Sequence, residues 1–512
     1  MRHWGLTIAL DPQRELPIFL QLAHAIADAI RSGRLKPGEP LPGTRELAEQ
    51  LHLNRNTVVA GYEELAAEGL VQTRIGGGTF VAPALPAETR VTPPTNDEPT
   101  FPLAETIHAI PAVNVAPPGT LMIAHGLPDT RLFPAEALTR AFRRAIVQRG
   151  RSLIGYAEPC GHPRLREELA KMLRSARALP ASADCLMVTR SLEQGIDLVA
   201  RMLLKPGDVV AVESFGYPPA WSVLRLAGAQ LMPLPVDDEG LDICALEDAL
   251  KHQHIRAVFL TPHHQFPTTC VMSATRRNQL AALASAHRFA IIEDDYDHEF
   301  HYASKPVLPI AAGPGRANVI YIGSLSNLLA PGISTGFIHA PPAVFGHLAG
   351  LRAASDPRTD VAMECAVAEL FEDGEFLRHM RRMRRTYAAR RDTLAEALRH
   401  HLGSAVQFRI PDGGMGLWAR VDDAIDIDRW SAEGEREGVQ FFGAKRYDFH
   451  QRKQPYLRLG FSYLDEAELD EAVQRMARAL GRANARPLTR ASQTASSDIY
   501  GQDSALGTIA RI

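Results

Sequence analysis

The chain is poor in cysteine and has no C-x-x-C pair. Its five cysteines, Cys160, Cys185, Cys244, Cys270 and Cys365, are scattered and odd in number. That excludes a disulfide framework or a zinc ribbon and implies free thiols in a reducing compartment. No uninterrupted apolar run approaches the ~20 residues that span a bilayer. The N-terminus lacks the charged-then-apolar pattern of a secretory signal. A cytoplasmic protein with no membrane partner is therefore expected. Charge of one sign is missing too: the net formal charge is −3, which gives no global pull toward nucleic acid. Any DNA binding must come from a local patch. No internal repeat is visible.

At 512 residues the chain is too long for one core, and roughly 150 residues per domain suggests about three units. Residues 1–82 are compact and punctuated by turns. Residues 83–118 are rich in proline (Pro83, Pro86, Pro93, Pro94, Pro99, Pro102, Pro111, Pro117, Pro118), the composition of a semi-extended linker. From 119 to 482, apolar runs such as Val209–Val212, Ala257–Leu260, Phe289–Ile292 and Val319–Ile322 alternate with helical patterns. This predicts an α/β domain with a mainly parallel sheet covered on both faces. The tail, 483–512, has a disordered composition.

In the first segment, Ile18, Leu22, Ile26 and Ile30 recur at helical spacing, with Gly33 as C-cap. Pro37-Gly38 and Pro40-Leu-Pro42 turn into a second helix carrying Leu47 and Leu51. Asn54 stands at an N-cap before a third helix whose buried face holds Val58, Tyr62 and Leu65. Two short helices joined by a tight turn, the second opening on polar residues, form a helix-turn-helix. Asn54, Arg55, Asn56 and Thr57 would meet the major groove, where Arg reads guanine and Asn adenine. Leu70–Arg74, a glycine turn at Gly76-Gly-Gly78 and Thr79–Val81 predict a hairpin wing, with Arg74, Gly76, Gly78 and Thr79 along phosphates. Basic residues do not outnumber acidic ones within 1–81. Affinity must then rest on a stripe of Arg31, Arg34, Lys36, Arg45, Arg55 and Arg74, and dimerisation would strengthen it.

The motifs Gly33-Arg-Leu-Lys-Pro-Gly38, Leu41-Pro-Gly-Thr-Arg-Glu-Leu-Ala48, Leu53-Asn-Arg-Asn-Thr-Val58 and Glu68-Gly-Leu resemble the GntR-type winged helix. Further landmarks follow in order. They are Gly126-Leu-Pro-Asp129, Gly155-Tyr-Ala-Glu-Pro-Cys-Gly161, Thr189-Arg-Ser-Leu-Glu-Gln194, Glu213-Ser-Phe-Gly-Tyr217, Pro262-His-His-Gln-Phe-Pro267, Glu293-Asp-Asp-Tyr-Asp-His-Glu299, Gly323-Ser-Leu-Ser-Asn327 and Leu457-Arg-Leu-Gly-Phe461. To about residue 482 the chain resembles the MocR/GabR subfamily. There a GntR winged helix-turn-helix is fused to a fold-type-I aminotransferase-like domain with a small α+β subdomain.

That resemblance implies a pyridoxal phosphate site, a homodimer, a double-stranded DNA operator and a small-molecule effector. Asp294 resembles the carboxylate that holds the pyridinium nitrogen. Tyr296 resembles the phenol near the ring hydroxyl, Tyr217 the aromatic lining the ring, and Ser324 a further site residue. Arg458 resembles the arginine that grips an effector carboxylate. Several of the family's ligands for the cofactor are altered. Where the family has its Schiff-base lysine, this chain has Asn327, which has no nucleophilic amine. Seven residues on, Ser334 replaces a phosphate-gripping arginine. Ser191-Leu192 and Glu193 stand in the phosphate cup, where a carboxylate repels phosphate, and Thr269 replaces a glycine. Covalent attachment and transamination are not expected. Lys305, Lys445 and Lys453 are poor substitutes. No catalytic residue is assigned.

Two features are read blandly. Arg378–Arg385 is expected to be a helix face or dimer surface, with Phe376, Leu377, Met380, Met383 and Tyr387 apolar. His263-His264 has no ligand neighbours in the sequence, so no metal site is expected. Three functions stay open: an effector-sensing DNA-binding regulator, an aminotransferase with a DNA-binding head, and a constitutive DNA-binding dimer with a purely structural second domain.

Overall fold

The computed structural model describes residues 16–74, 77–83, 117–124, 126–150, 158–302 and 307–484, with a few single positions besides. Most of the expected linker and tail lies outside them. The chain separates into two compact units, 1–104 and 105–512.

The first unit has three helices and a hairpin. Helix Ile18–Arg31 buries Leu22, Ile26 and Ile30 at its expected spacing. It ends at Gly33, whose φ of 74° supplies the left-handed turn that stops a helix. Helix Thr44–Gln50 and helix Arg55–Ala67 follow. Gly61 lets the last pack closely on the first, since a Cβ there would stand 3.1 Å from the Phe19 carbonyl oxygen. Strands Val71–Arg74 and Gly78–Val81 pair antiparallel, with Arg74 opposite Gly78. Val58, Leu65, Leu70 and Val81 close the core.

The second unit is built on a seven-stranded sheet. Its strand order is Leu186–Thr189, Gly336–His339, Val319–Ser324, Ala290–Asp295, Ile255–Leu260, Val209–Glu213 and Gln230–Leu234. All strands run parallel except Gly336–His339, which is antiparallel to both neighbours. The central strands are buried along nearly their whole length, as a sheet covered on both faces requires. Ile291 and Ile292 show the two faces. Ile291 joins one apolar core with Leu280 and Phe337, and Ile292 joins another with Ile196 and Trp221. A second, antiparallel sheet of Val406–Phe408, Gly416–Val421 and Tyr456–Gly460 forms the small subdomain, backed by helices Ile427–Arg436 and Glu466–Asn484.

Arg378–Arg385 lies in helix Glu375–His401. Phe376, Met380, Met383 and Tyr387 are buried, but Leu377 is 56% exposed, so its expected place on the apolar face is corrected. Several of the arginines bond their own chain: Arg378 pairs with Glu375, Arg382 donates to the Leu132 carbonyl and Arg384 to that of Glu299.

Candidate functional site

In the first unit, Asn54 does cap the third helix: its side-chain oxygen accepts from the Asn56 amide at 2.9 Å. Asn54, Arg55 and Asn56 are exposed and Thr57 half-buried. Arg45 and Arg55 line one surface cleft of about 450 Å³ with Glu49 and His52. The Arg55 guanidinium lies 3.4 Å from the Thr44 hydroxyl. On the wing, Arg74 is exposed and stacks over Phe80 at 4.8 Å. Gly78 has φ of 92°, and Thr79 sits beside it. Gly76 lies outside the described residues. Of the basic stripe, Arg31 is ion-paired to Glu68 at 3.2 Å.

In the second unit, the carboxyl ends of the parallel strands bring the site together, as open α/β sheets do. Glu213, Asp294 and Ser324 stand at strand ends, and Tyr217 opens helix Pro218–Leu226. Asp294 is 2% exposed and its Oδ1 has no partner among the described residues. Burial first, and then Asp295, Glu193, Asp297 and Glu213, hold its carboxyl well above the ordinary range. Tyr296 donates its hydroxyl to the His264 carbonyl at 3.0 Å, with the Arg458 guanidinium near the same phenol oxygen.

Arg458 is 3% exposed and no carboxylate pairs with it among the described residues. It lies 4.7 Å over the Phe266 ring. Gly126 and Gly416 make its room: a Cβ on either would stand about 3.0 Å from the guanidinium. A buried cation with no carboxylate paired to it is costly.

Other positions run against a phosphate-bearing cofactor. Glu193 lies in the first turn of helix Leu192–Leu203, where Ser191 caps the Gln194 amide. The Tyr217 hydroxyl donates to Glu193 at 2.8 Å, so a carboxylate already occupies this helix N-terminus. Asn327 follows strand Val319–Ser324 and donates weakly, at 3.4 Å, to the Tyr296 carbonyl. Ser334 is exposed with φ of 46°. Lys453 pairs on the surface with Asp428 and Lys445 is exposed; Lys305 lies outside the described residues. These residues fit the pyridine ring of pyridoxal phosphate at Asp294. They do not fit its phosphate or its aldehyde.

Two groups escaped the sequence. Glu213 is buried beside the pocket and accepts from the Thr261 amide and hydroxyl, at 3.1 and 2.9 Å. Desolvation lifts its carboxyl to about 7. His263 and His264, which lack ligand neighbours along the chain, find them in the fold. His264 bonds Asp297 at 2.7 Å, and His263 gathers with Asp295 and His298. Only the run Glu293–Glu299, three-dimensionally adjacent to Pro262–Pro267, could have hinted at this.

A winged helix-turn-helix joined to an aminotransferase fold defines a class: DNA-binding transcriptional regulators carrying an aminotransferase-like domain. The family description for bacterial regulatory proteins of the gntR family matches residues 19–81. That for aminotransferase class I and II matches residues 126–476. The chain belongs to the GntR-type regulators of the MocR/GabR kind. It is 31% identical over 490 residues to a probable rhizopine catabolism regulatory protein, MocR, of Rhizobium meliloti, covering 95% of this chain and 99% of that one. It is 32% identical over 423 residues to the pyridoxine biosynthesis regulator PdxR of Corynebacterium glutamicum, covering 82% and 87%. Among solved structures it resembles a kynurenine aminotransferase of Pyrococcus horikoshii, crystallised with pyridoxamine phosphate (TM-score 0.67, 29% identity, 72% and 92% covered). The fold family thus implies a pyridoxal phosphate site. Among the described residues no helix is long and apolar enough to cross a membrane.

Proposed function

We propose that this regulator binds a DNA operator as a homodimer in the cytoplasm and senses a small carboxylate-bearing molecule through its second unit, without covalent cofactor chemistry. The unit boundaries we adopt are a head at 1–82, a linker at 83–118, an effector and dimerisation domain at 119–482 and a tail at 483–512. The observation that carries the reading is Arg458, buried, without a carboxylate partner, and facing the Asp294–Tyr296 cluster. A planar guanidinium there suits a carboxylate that binds with two parallel bonds. The orphaned Asp294 oxygen offers a hydrogen-bond partner at the other end, and a bound ammonium would favour its charged form. An amino acid or a similar zwitterion would satisfy both.

Transamination is disfavoured by Asn327. The lysine whose place it takes serves such enzymes as nucleophile and proton carrier, and a carboxamide is neither. Bases recognised in the major groove would be met by Arg55 and Asn56, with Asn54 bound up in its cap, and phosphates by Arg45, Arg74 and the wing backbone at Gly76, Gly78 and Thr79.

Adding pyridoxal phosphate, then borohydride, tests the enzymatic half. No aldimine absorbance and no trapped lysine are expected; a trapped lysine overturns the reading. Screening amino acids by thermal shift tests the sensing half. A stabilising ligand whose effect disappears in Arg458→Ala is expected. Ligand-independent operator binding with no stabilising ligand would leave the second unit a scaffold.

A further inference from the structure

Asp294 and Asp295 are neighbours in one strand, so their side chains leave it on opposite faces. Asp294 faces the pocket already described. Behind it, Asp295 sits in a second buried cluster. Its Oδ2 is 2.9 Å from His298 Nδ1 and accepts from the Tyr321 hydroxyl at 2.5 Å. His263 stacks on His298 with ring centroids 4.1 Å apart and planes 25° apart. His263, Asp295 and His298 are each 2–3% exposed. One donor atom from each lies within 4.8 Å of the others.

Hydrogen bonding leaves this cluster unfinished. Both ring nitrogens of His263, Nε2 of His298 and Oδ1 of Asp295 are buried with no partner among the described residues. Native interiors rarely leave such atoms unmet, and each costs roughly 1–3 kcal/mol. Four in one place mark two imidazoles and a carboxylate as incompletely satisfied, and these residue types hold a borderline-soft divalent ion.

We propose that His263, Asp295 and His298 form a metal site of the zinc class, separate from the effector pocket. Its surroundings are those of a metal site. The Tyr321 hydroxyl orients the carboxylate, and the ion would take the place of the proton that His298 Nδ1 and Asp295 Oδ2 share, with both residues as ligands. Arg177 lies 4.0 Å from Asp295 and would repel a cation. Its charge is directed to Glu299, at 2.6 Å. Coordination requires His263 to turn out of its stack, because the lone pairs of parallel rings run side by side. The site needs neither DNA nor effector, so its failure and that of the sensing proposal are distinguishable.

The test uses the full chain, stripped with a chelator and then equilibrated with Zn²⁺ or Co²⁺. Bound metal is measured after gel filtration, and Co²⁺ also by its visible absorbance. Wild type is expected to hold one ion per chain and to unfold at a higher temperature with metal than without. His263→Gln and His298→Gln should each weaken binding by at least ~tenfold, and Tyr321→Phe, which keeps every ligand, by about 10–100-fold. His400→Gln, an exposed histidine of helix Glu375–His401, should change nothing. Should a ligand variant fail to fold by circular dichroism, Tyr321→Phe decides. The proposal is overturned if wild type retains no ion, or if the folded ligand variants or Tyr321→Phe bind it as wild type does.

Discussion

The two units place their charges oppositely. In the head, Gln21 is the one polar side chain buried among the described residues apart from the Tyr62 phenol, and its amide is bonded to the Asp11 and Leu16 carbonyls. Arg45, Arg55 and Arg74 all lie outside. In the second unit, Arg177, Arg352, Arg390 and Arg458 are buried with Glu213, Glu293, Asp294, Asp295 and Asp297. An exposed arginine is cheap to keep and ready for a phosphate or a base. A buried one must be answered from within the protein or by a ligand. The head can therefore lose charge and stay folded, whereas charge lost from the second unit costs the fold itself.

The sharpest break in that contrast is at Asp129. Its carboxylate meets Arg390 at 3.0 Å, both almost wholly buried. Asp129→Ala leaves Arg390 the Ser462 carbonyl and the half-exposed Glu466 at 3.9 Å. Stability of the second unit should fall by about 3–5 kcal/mol, measured by denaturant unfolding. A loss below about 1 kcal/mol would show that water reaches Arg390 freely.

Next in size is a pH effect at Glu364. This side chain is 5% exposed and accepts from the His162 amide at 2.6 Å. Burial lifts its carboxyl from 4.5 to about 7. The folded state then binds a proton that the unfolded chain has released, so this group's contribution favours folding at low pH. That contribution is lost as pH rises from about 4.5 to about 7, by up to ~3 kcal/mol. Glu364→Gln should flatten the unfolding free energy across that window. An unchanged slope would refute the assignment.

In the head, Arg55→Ala and Arg45→Ala should each weaken operator binding by ~1–3 kcal/mol if they touch bases. A phosphate contact would instead lower the salt slope by about 1. Neither should change the unfolding free energy by more than about 0.5 kcal/mol. Mobility shift and thermal unfolding on the same variants decide. A large stability loss from either would erase the contrast.

The same contrast explains what was legible. The head could be read almost residue by residue, because caps, turn glycines and helical spacing are local signals: Gly33, Asn54 and the Arg74–Gly78 wing all fall where their chemistry requires. The parallel sheet was legible from its apolar runs, though not its antiparallel strand Gly336–His339. The interior charges were not, because their partners are far away in sequence. His263 meets Asp295 only when two strand ends become neighbours, and Arg458 shows its lack of a carboxylate only once Gly126 and Gly416 have closed around it. Leu377 misled because helix Glu375–His401 turns it to solvent.

The smallest expected effect lies at Thr269. Its φ is 64°, in the left-handed region that a β-branched residue enters only at a cost of roughly 1–2 kcal/mol. Its amide donates to the Gln265 carbonyl at 2.6 Å, and Gln265 also accepts from the Thr268 amide and hydroxyl. The turn is thus held by its neighbours against the preference of Thr269. Thr269→Gly removes the strain but adds freedom to the unfolded chain, worth about 0.5–1 kcal/mol in the other direction. A net gain of up to about 1 kcal/mol is expected, without any new contact. Because Gln265 also bonds the Phe215 carbonyl at 2.7 Å, relief at Thr269 should leave that link intact. A destabilised Thr269→Gly would mean that the threonine side chain itself supports the wall that Phe266 gives to Arg458.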